Sequence, residues 1–250
     1  MHRRYLGKLN WLATSTRPDI TTVCSLLAAK AQTPTPAHIE AARHVGKCLK
    51  STLSLGIQFS SNKDKTLEGF VHFPIDPTKI TAFADANWGP QDASRPTQSA
   101  IRPVSIDETK SVCGHIVFVS GGPLVWKSHK EKRISGSSCE AEVKATDECT
   151  RNIRAMRHIL EDLHRLQSSP ATLYNDNQAA VDWSESHSMK SFRHYNIHEN
   201  MVRESQQHGE VNIKHCSGKT DPSDLFTKEH KSPQIYRETC DSFMHPAPAA

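Results

Sequence analysis

The stretch Ile80-Thr-Ala-Phe-Ala-Asp85-Ala-Asn-Trp88 runs from a short apolar segment into an acidic residue. A run of this length that ends in a carboxylate is typical of a buried strand with a functional group at its carboxyl end. A second run, Ala171-Thr-Leu-Tyr-Asn175, is followed directly by Asp176. If the two strands are parallel neighbours, both acids emerge at the same edge of one sheet.

The residues around these two runs predict the remaining elements of a mixed sheet. Gly121-Gly122-Pro123 separates two apolar runs, at 114–119 and 124–127, and predicts a hairpin. Helical spacing predicts a long helix over 138–166, helices over 177–187 and 195–207, and a helix opening at 221–224, with a last strand at 211–215. Hairpins give antiparallel strands and right-handed crossovers give parallel ones. We therefore predict an α/β fold with a mixed five-stranded sheet and helices on both faces.

The first part of the chain has a different pattern. Residues 4–52 have helical spacing that is broken at 33–36, and they predict a small helical packing unit. Short strands are predicted at 56–59 and 70–73, and 89–111 is expected to be a loop. We predict a helical segment over 1–60, an α/β domain over 67–230 and a partly disordered tail over 231–250.

Composition narrows the class of protein. The net charge of +4 and the pI near 8.6 permit a nucleic-acid partner without requiring one. The seven cysteines are scattered and form no CxxC pair, so we expect a reducing compartment without disulfides or structural zinc. No apolar run reaches membrane-spanning length and no signal peptide is apparent. A helical pattern already runs by Tyr5, so we expect a piece of a longer protein.

Four carboxylates are candidates for chemistry: Asp85, Glu142, Asp176 and Asp224. Closely spaced carboxylates repel one another unless a cation neutralises them, and Mg²⁺ prefers oxygen ligands. Two such ions, about 3.5–4 Å apart, can activate water and stabilise the leaving oxygen in phosphodiester cleavage. The alternative for any single Asp is a turn or cap residue, and Asp224 is the best candidate for that role.

Six short motifs resemble, in the same order, those of the ribonuclease H domain of copia-type retrotransposon polyproteins. They are Phe83-Ala-Asp85-Ala-Asn87-Trp88-Gly89, Gly121-Gly-Pro-Leu-Val-Trp126-Lys-Ser128, Ser137-Ser-Cys-Glu140-Ala-Glu142, Tyr174-Asn-Asp176-Asn177-Gln178-Ala179-Ala180, Arg193-His194-Tyr-Asn-Ile197 and Ser223-Asp224-Leu225-Phe-Thr227-Lys228. Upstream, Tyr5-Leu-Gly-Lys-Leu-Asn-Trp-Leu-Ala13-Thr and Arg17-Pro18-Asp19-Ile20 resemble the connection between the polymerase and this domain.

The resemblance implies a ribonuclease H-like fold and a metal-dependent endonuclease for the RNA strand of RNA:DNA hybrids. It assigns the four acids to two Mg²⁺ ions, with Mn²⁺ as a substitute, and favours Glu142 over Glu140. Asn87 and Asn196 replace acids that are usual in the family, and Lys144 adds a cation beside the expected ligands. No Tyr-x-Asp-Asp motif occurs, so the polymerase domain is an expected partner outside this sequence. We expect a cytoplasmic virus-like particle or the nucleus as the location.

Nucleic-acid contacts are expected from two sets of residues. Salt-dependent phosphate contacts are predicted for a basic cluster after the hairpin, formed by Lys127, Lys130, Lys132 and Arg133. The family motifs add Asn177, Gln178 and His194. For Trp88 and Trp126 we favour buried packing over stacking on sugars.

Two other functions remain open from the sequence. A non-catalytic nucleic-acid-binding remnant of a retroelement would keep the fold without turnover, although none of the four acids is replaced. An integrase-like nuclease would carry its Glu on a late helix. Because Glu142 lies between Asp85 and Asp176, the order of the acids favours ribonuclease H over an integrase.

Overall fold

The computed structural model describes residues 2–59, 76, 78–89, 110–185, 197–228 and 232–246. The helices are α1 (His2–Ser15), α2 (Thr21–Ala29), α3 (Pro36–Ser51), α4 (Ser138–Asp162), α5 (Gln178–Glu185), α6 (Ile197–Gln207) and α7 (Pro233–Asp241), with 3₁₀ turns at Pro18–Ile20, Gly218–Thr220 and Pro222–Phe226. The strands are β1 (Leu55–Ile57), β2 (Thr81–Asn87), β3 (Val112–Val119), β4 (Gly122–Lys130), β5 (Ala171–Asn175), β6 (Val211–His215) and β7 (Met244–Pro246). Within the described ranges, no helix combines the length and apolar character that a membrane span requires.

Five strands form the main sheet in the order β4-β3-β2-β5-β6. The hairpin strands β3 and β4 are antiparallel, as are β2 and β3, whereas β5 is parallel to both β2 and β6. This is the mixed sheet that the sequence predicts. The parallel pairing of β2 with β5 covers only residues 81–83 and 172–174. Beyond those pairs the two strands are no longer matched residue by residue, and Asp85 lies in that stretch of β2.

The sheet is covered on both faces, as predicted. Alternate β2 residues, such as Ala82 and Ala84, pack in one core with Ala145 and Ile153 of α4 and with residues of α5 and α6. Phe83 lies on the other face, in a second core formed with residues of the 222–226 turn and of the segment 240–244. Since side chains alternate along a strand, Asp85 shares the face of Phe83.

The first three helices form a separate core that docks onto the sheet. The indole nitrogen of Trp126 on β4 donates a hydrogen bond to the carbonyl of Ala13, 2.6 Å away. The hydroxyl of Thr22 donates to the carbonyl of Leu225 at 2.5 Å. The packing role favoured for Trp126 agrees with this contact, which joins the helical segment to the α/β domain.

Several sequence-based boundaries were wrong. The long helix ends at Asp162, and not at 166, because His164 adopts a left-handed backbone with φ of 56°. The amides of His164 and Arg165 then donate to the carbonyls of Glu161 and Leu160, which closes the helix. The helix expected at 221–224 is a 3₁₀ turn.

The segment 231–250 contains more regular structure than the sequence suggested. It holds α7 and then β7, which pairs antiparallel with β1 outside the main sheet. Phe243 and Met244 are buried in the second core. The predicted strand at 70–73 lies outside the described residues, as do residues 90–109 of the expected loop.

Candidate active site

Three of the four predicted acids meet at one point. Asp85, Glu142 and Asp176 each offer a carboxylate oxygen, and these oxygens lie within 4.8 Å of one another. We call these three residues the acid cluster. Asp85 comes from β2, Glu142 from the second turn of α4, and Asp176 from the residue that follows β5. The cluster lies beyond the last paired residues of β2 and β5, Phe83 and Tyr174.

The local sequence around Glu142 explains why it, and not Glu140, enters the cluster. The hydroxyl of Ser137 caps α4 by accepting from the amide of Glu140. The Glu140 carboxylate turns back to accept from the amide of Gly136 at 2.7 Å, and it forms an ion pair with Lys144 at 2.7 Å. The preference for Glu142 agrees with this geometry. The Lys144 ammonium, expected beside the metal ligands, instead binds Glu140 and the Ser135 hydroxyl.

Two members of the cluster, Asp85 and Glu142, are buried, and Asp176 is partly buried. Burial raises the pKa of Glu142 to about 10, and the neighbouring Asp85 carboxylate adds to the rise. Burial also raises the pKa of Asp85, whereas the Lys228 ammonium opposes that shift. For Asp176, burial and then Asp85 raise the pKa. Desolvated carboxylates that repel one another are a fitting donor set for a hard divalent cation.

Asp224 lies beside the acid cluster and is not one of the three acids that converge. Its carboxylate forms a short ion pair with Lys228, whose Nζ also lies 3.5 Å from Oδ1 of Asp85. Burial raises the pKa of Asp224, and Lys228 acts in the opposite direction. The immediate partner of Asp224 is therefore an ammonium group.

Sequence reasoning missed four residues that shape the site. The side-chain amide nitrogen of Asn175 donates to Oε2 of Glu142 at 3.0 Å and to the carbonyl of Ala84 at 2.9 Å. The Thr227 hydroxyl donates a short hydrogen bond to Asp85. Lys228 contacts Asp85 and Asp224. The fourth is Asp221.

Asp221 is a buried fifth carboxylate near the cluster. Its side chain caps the 222–226 turn by accepting from the amide of Ser223 at 2.8 Å. Burial raises its pKa well above the usual value, and Asp85 contributes. The Asp-Pro-Ser sequence at 221–223 indicated the cap, but nothing in that sequence indicated its distance from Asp85.

Two glycines allow the segments around the cluster to approach. A Cβ on Gly114, which lies opposite Asp85 on β3, would fall 2.5 Å from Cβ of Phe226 and 2.7 Å from Cγ2 of Thr227. A Cβ on Gly218 would lie 2.8 Å from Oδ2 of Asp176. The missing side chains therefore let residues 218–228 pack close to the cluster.

The basic residues expected to contact nucleic acid differ in their exposure and in their partners within the protein. Lys127 forms an ion pair with Glu148 at 2.5 Å, whereas Lys132 and Arg133 are exposed. Lys127 and Lys130 are three positions apart on β4 and so project from opposite faces of the sheet. The predicted basic cluster is thus split.

Of the three motif residues expected to contact nucleic acid, two already have side-chain partners within the protein. The Asn177 side chain accepts from the amide of Ala180 at the start of α5. Gln178 donates to Asp182 at 2.7 Å. His194 lies outside the described residues.

Trp88 is more exposed than expected. Its side chain is 50% exposed, so the buried packing favoured from the sequence was wrong. The indole nitrogen donates to the carbonyl of Ser135 at 2.9 Å, which ties the ring to the segment that carries Lys132 and Arg133. The Trp88 ring thus lies three residues beyond Asp85 and is hydrogen-bonded to the segment that carries two exposed cations.

Comparison with known proteins finds relatives among retrotransposon Pol polyproteins. The chain is 26% identical over 228 residues to the retrovirus-related Pol polyprotein from transposon RE1 of Arabidopsis thaliana, an alignment that covers 91% of this chain and 14% of the relative. It is 25% identical over 225 residues to the Pol polyprotein from transposon TNT 1-94 of Nicotiana tabacum, with 89% and 15% covered. The chain thus spans about one seventh of these polyproteins. No protein-family model matches it.

The comparison with solved structures returns ribonucleases H at low identity. RNase H1 isolated from compost by a metagenomic approach has a TM-score of 0.41 at 12% identity, covering 60% of this chain and 93% of that one. The foamy viral protease-reverse transcriptase in complex with an RNA/DNA hybrid has a TM-score of 0.46 at 7% identity, covering 86% and 24%. The mixed five-stranded sheet with helices and the resemblance to retrotransposon Pol polyproteins, both predicted from the sequence, are confirmed.

Proposed function

We propose that this chain is a metal-dependent endoribonuclease that cleaves the RNA strand of RNA:DNA hybrids and forms part of a retrotransposon Pol polyprotein. The observation that carries the proposal is the convergence of Asp85, Glu142 and Asp176 within 4.8 Å. The similarity to retrovirus-related Pol polyproteins from transposons supports the retrotransposon context.

A divalent cation held by the acid cluster, Mg²⁺ or in its place Mn²⁺, would supply an activated water and charge stabilisation for phosphodiester cleavage. The chain's own residues prepare the ligands. Asn175 orients Glu142 and Thr227 orients Asp85 through the hydrogen bonds described above. Asp85 is only 1% exposed, so its carboxylate is largely withdrawn from bulk water. Fixed orientation and exclusion of water both strengthen electrostatic catalysis.

The substrate would be held by contacts outside the cluster. Exposed Lys132 and Arg133 would bind phosphates, and the face of Trp88 would contact a sugar or base edge beside the scissile strand. The 2′-hydroxyl would distinguish the RNA strand from DNA. The reverse transcriptase polymerase domain is the proposed partner, and a cytoplasmic virus-like particle or the nucleus is the proposed location.

Cleavage of a hybrid labelled on its RNA strand, with Mg²⁺ present, tests the proposal. We expect wild type to cut only the RNA strand, and Asp85→Asn, Glu142→Gln and Asp176→Asn to reduce the rate at least about a hundredfold. Glu140→Gln is the matched control, because Glu140 lies two residues before Glu142 on α4 but binds Gly136 and Lys144. It should retain cleavage.

The alternatives give different results. Equal cleavage by wild type and the three cluster variants would reject the assignment. Hybrid binding by the wild type without cleavage, at any Mg²⁺ or Mn²⁺ concentration, would identify a non-catalytic binding remnant. Cleavage of duplex DNA in preference to the hybrid would favour another nuclease on this fold.

A further inference from the structure

Lys228 brings a positive charge into the group of acids. Its Nζ lies 3.5 Å from Oδ1 of Asp85 and makes a shorter ion pair with Oδ1 of Asp224. The same ammonium group therefore contacts one member of the acid cluster and the fourth predicted metal ligand. A divalent cation held by these two carboxylates would compete with the ammonium group for their oxygens.

The backbone sets this position. The amides of Thr227 and Lys228 both donate to the carbonyl of Asp224, so residues 224–228 keep one helical turn and the Lys228 side chain returns over Asp224. Thr227 is anchored to Asp85, and its methyl group packs where Gly114 has no side chain. The Lys228 side chain is 38% exposed, so the ammonium has a path to solvent even though its backbone is fixed.

We propose that the Lys228 ammonium replaces a second divalent cation between Asp85 and Asp224. The site then holds one ion, at the acid cluster, and a second ion binds only by displacing the ammonium. The inference rests on the proposed metal-dependent function and revises the expected number of ions from two to one. The physical reason is competition, because a second divalent ion at these carboxylates must displace an ammonium group that already pairs with both of them.

Isothermal titration calorimetry with Mn²⁺ as the only ligand tests the inference without any measurement of cleavage. Wild type should bind one ion. Lys228→Met should bind a second ion, or bind Mn²⁺ about tenfold more tightly, because the competing charge is gone. Lys47→Met on the exposed face of α3 removes the same charge from a residue that pairs only loosely with Glu40, at 3.8 Å, and it should behave as wild type.

Thermal unfolding provides a second readout. Without metal, Lys228→Met should be less stable than wild type, and Mn²⁺ should raise its melting temperature by more than it raises that of wild type. Lys228→Arg keeps the charge and should retain the one-ion isotherm.

Each result decides the question. Two Mn²⁺ ions of similar affinity in wild type would overturn the inference and leave the proposed function intact. Identical isotherms for wild type and Lys228→Met would also overturn it. If Lys228→Met does not fold, the wild-type and Lys228→Arg isotherms still decide the number of ions. Absence of Mn²⁺ binding in wild type would contradict the proposed metal dependence, and the inference with it.

Discussion

The side-chain amide of Asn175 donates to Oε2 of Glu142 at 3.0 Å, although the two residues lie 33 positions apart. The same amide donates to the carbonyl of Ala84, one residue before Asp85, and its own oxygen accepts from the amide of Asn177, one residue after Asp176. Asn175 thus connects, directly or through a neighbour, all three members of the acid cluster. It is fully buried, so none of these hydrogen bonds is shared with bulk water.

Replacing Asn175 by Ala should weaken both the fold and the metal site. The change leaves buried polar partners unsatisfied, at a cost of about 1–3 kcal/mol. For a chain of this size that corresponds to a fall in melting temperature of about 2–4 °C per kcal/mol. Glu142 also loses the donor that orients it, so Mn²⁺ affinity measured by calorimetry should fall. Unchanged Mn²⁺ affinity in a folded Asn175→Ala protein would show that Asn175 is only structural.

Glu142→Gln should stabilise the metal-free protein at neutral and alkaline pH. Because the folded state raises the pKa of Glu142 from 4.5 to about 10, it binds a proton that the unfolded chain releases, and stability falls as pH rises through this window. Gln carries no such proton and removes this slope. The measurement is the free energy of unfolding in EDTA from pH 5 to pH 9. A parallel slope in wild type and variant would contradict the assigned cause.

Gly114→Ala should destabilise the protein by forcing the 222–228 segment away from the sheet. The added methyl would lie 2.5 Å from Cβ of Phe226 and 2.9 Å from its backbone carbon, so a side-chain rotation does not relieve the contact. Overpacking of this kind costs about 1–3 kcal/mol. Gly7→Ala in α1 is the control, since a Cβ there has nothing within 4 Å, and it should stabilise slightly. Equal melting temperatures for Gly114→Ala and wild type would refute the close packing.

Binding of an RNA:DNA hybrid should depend on the exposed cations and much less on Lys127. Neutralising Lys132 and Arg133 with Gln should reduce the slope of log affinity against log salt by about one for each residue. Lys127→Gln is the matched control, because Glu148 already neutralises Lys127, and its slope should match wild type. Fluorescence anisotropy with the Asp85→Asn protein avoids cleavage during the measurement. If Lys127→Gln lowers the slope more than the Lys132 and Arg133 changes do, the proposed phosphate contacts are wrong.

Trp88→Ala should lower hybrid affinity without changing Mn²⁺ affinity. The ring is half exposed beside the cluster, and its indole nitrogen holds the carbonyl of Ser135. Trp88→Phe keeps an aromatic face but loses that hydrogen bond, so it separates stacking from loop positioning. If Phe restores binding, the ring face is responsible. If Ala leaves anisotropy unchanged, Trp88 makes no contact with the hybrid.

The sequence predicted elements whose signals are local. The runs at 80–85, 114–119, 171–175 and 211–215 predict strands by their own composition, and strands form at all four places. Asp85 and Asp176 follow from the rule that sites lie at the carboxyl ends of parallel strands. Only the family resemblance favoured Glu142 over Glu140 as the site residue. The structure supplies the reason, since Glu140 is engaged by Gly136 and Lys144.

Features that depend on distant partners were not predictable in this way. The αL residue that ends α4 is His164, where a Gly would have signalled the position. Asn175, Thr227 and Lys228 acquire their roles from groups such as Ala84 and Asp85, which are far away in the sequence. The α7–β7 segment was missed because β7 is only three residues long and its partner is β1.

The pairing of β7 with β1 has a practical meaning for dissection of the chain. Ending the protein at residue 230, where the family motifs stop, would delete Phe243, whose ring packs edge-on against Phe118 at 6.3 Å. The strand after α3 would lose its only β-partner among the described residues, and the aromatic layer beneath the sheet would face water. Inactivity of such a shortened protein would therefore reflect the loss of this hydrophobic core, and not the chemistry of the acid cluster.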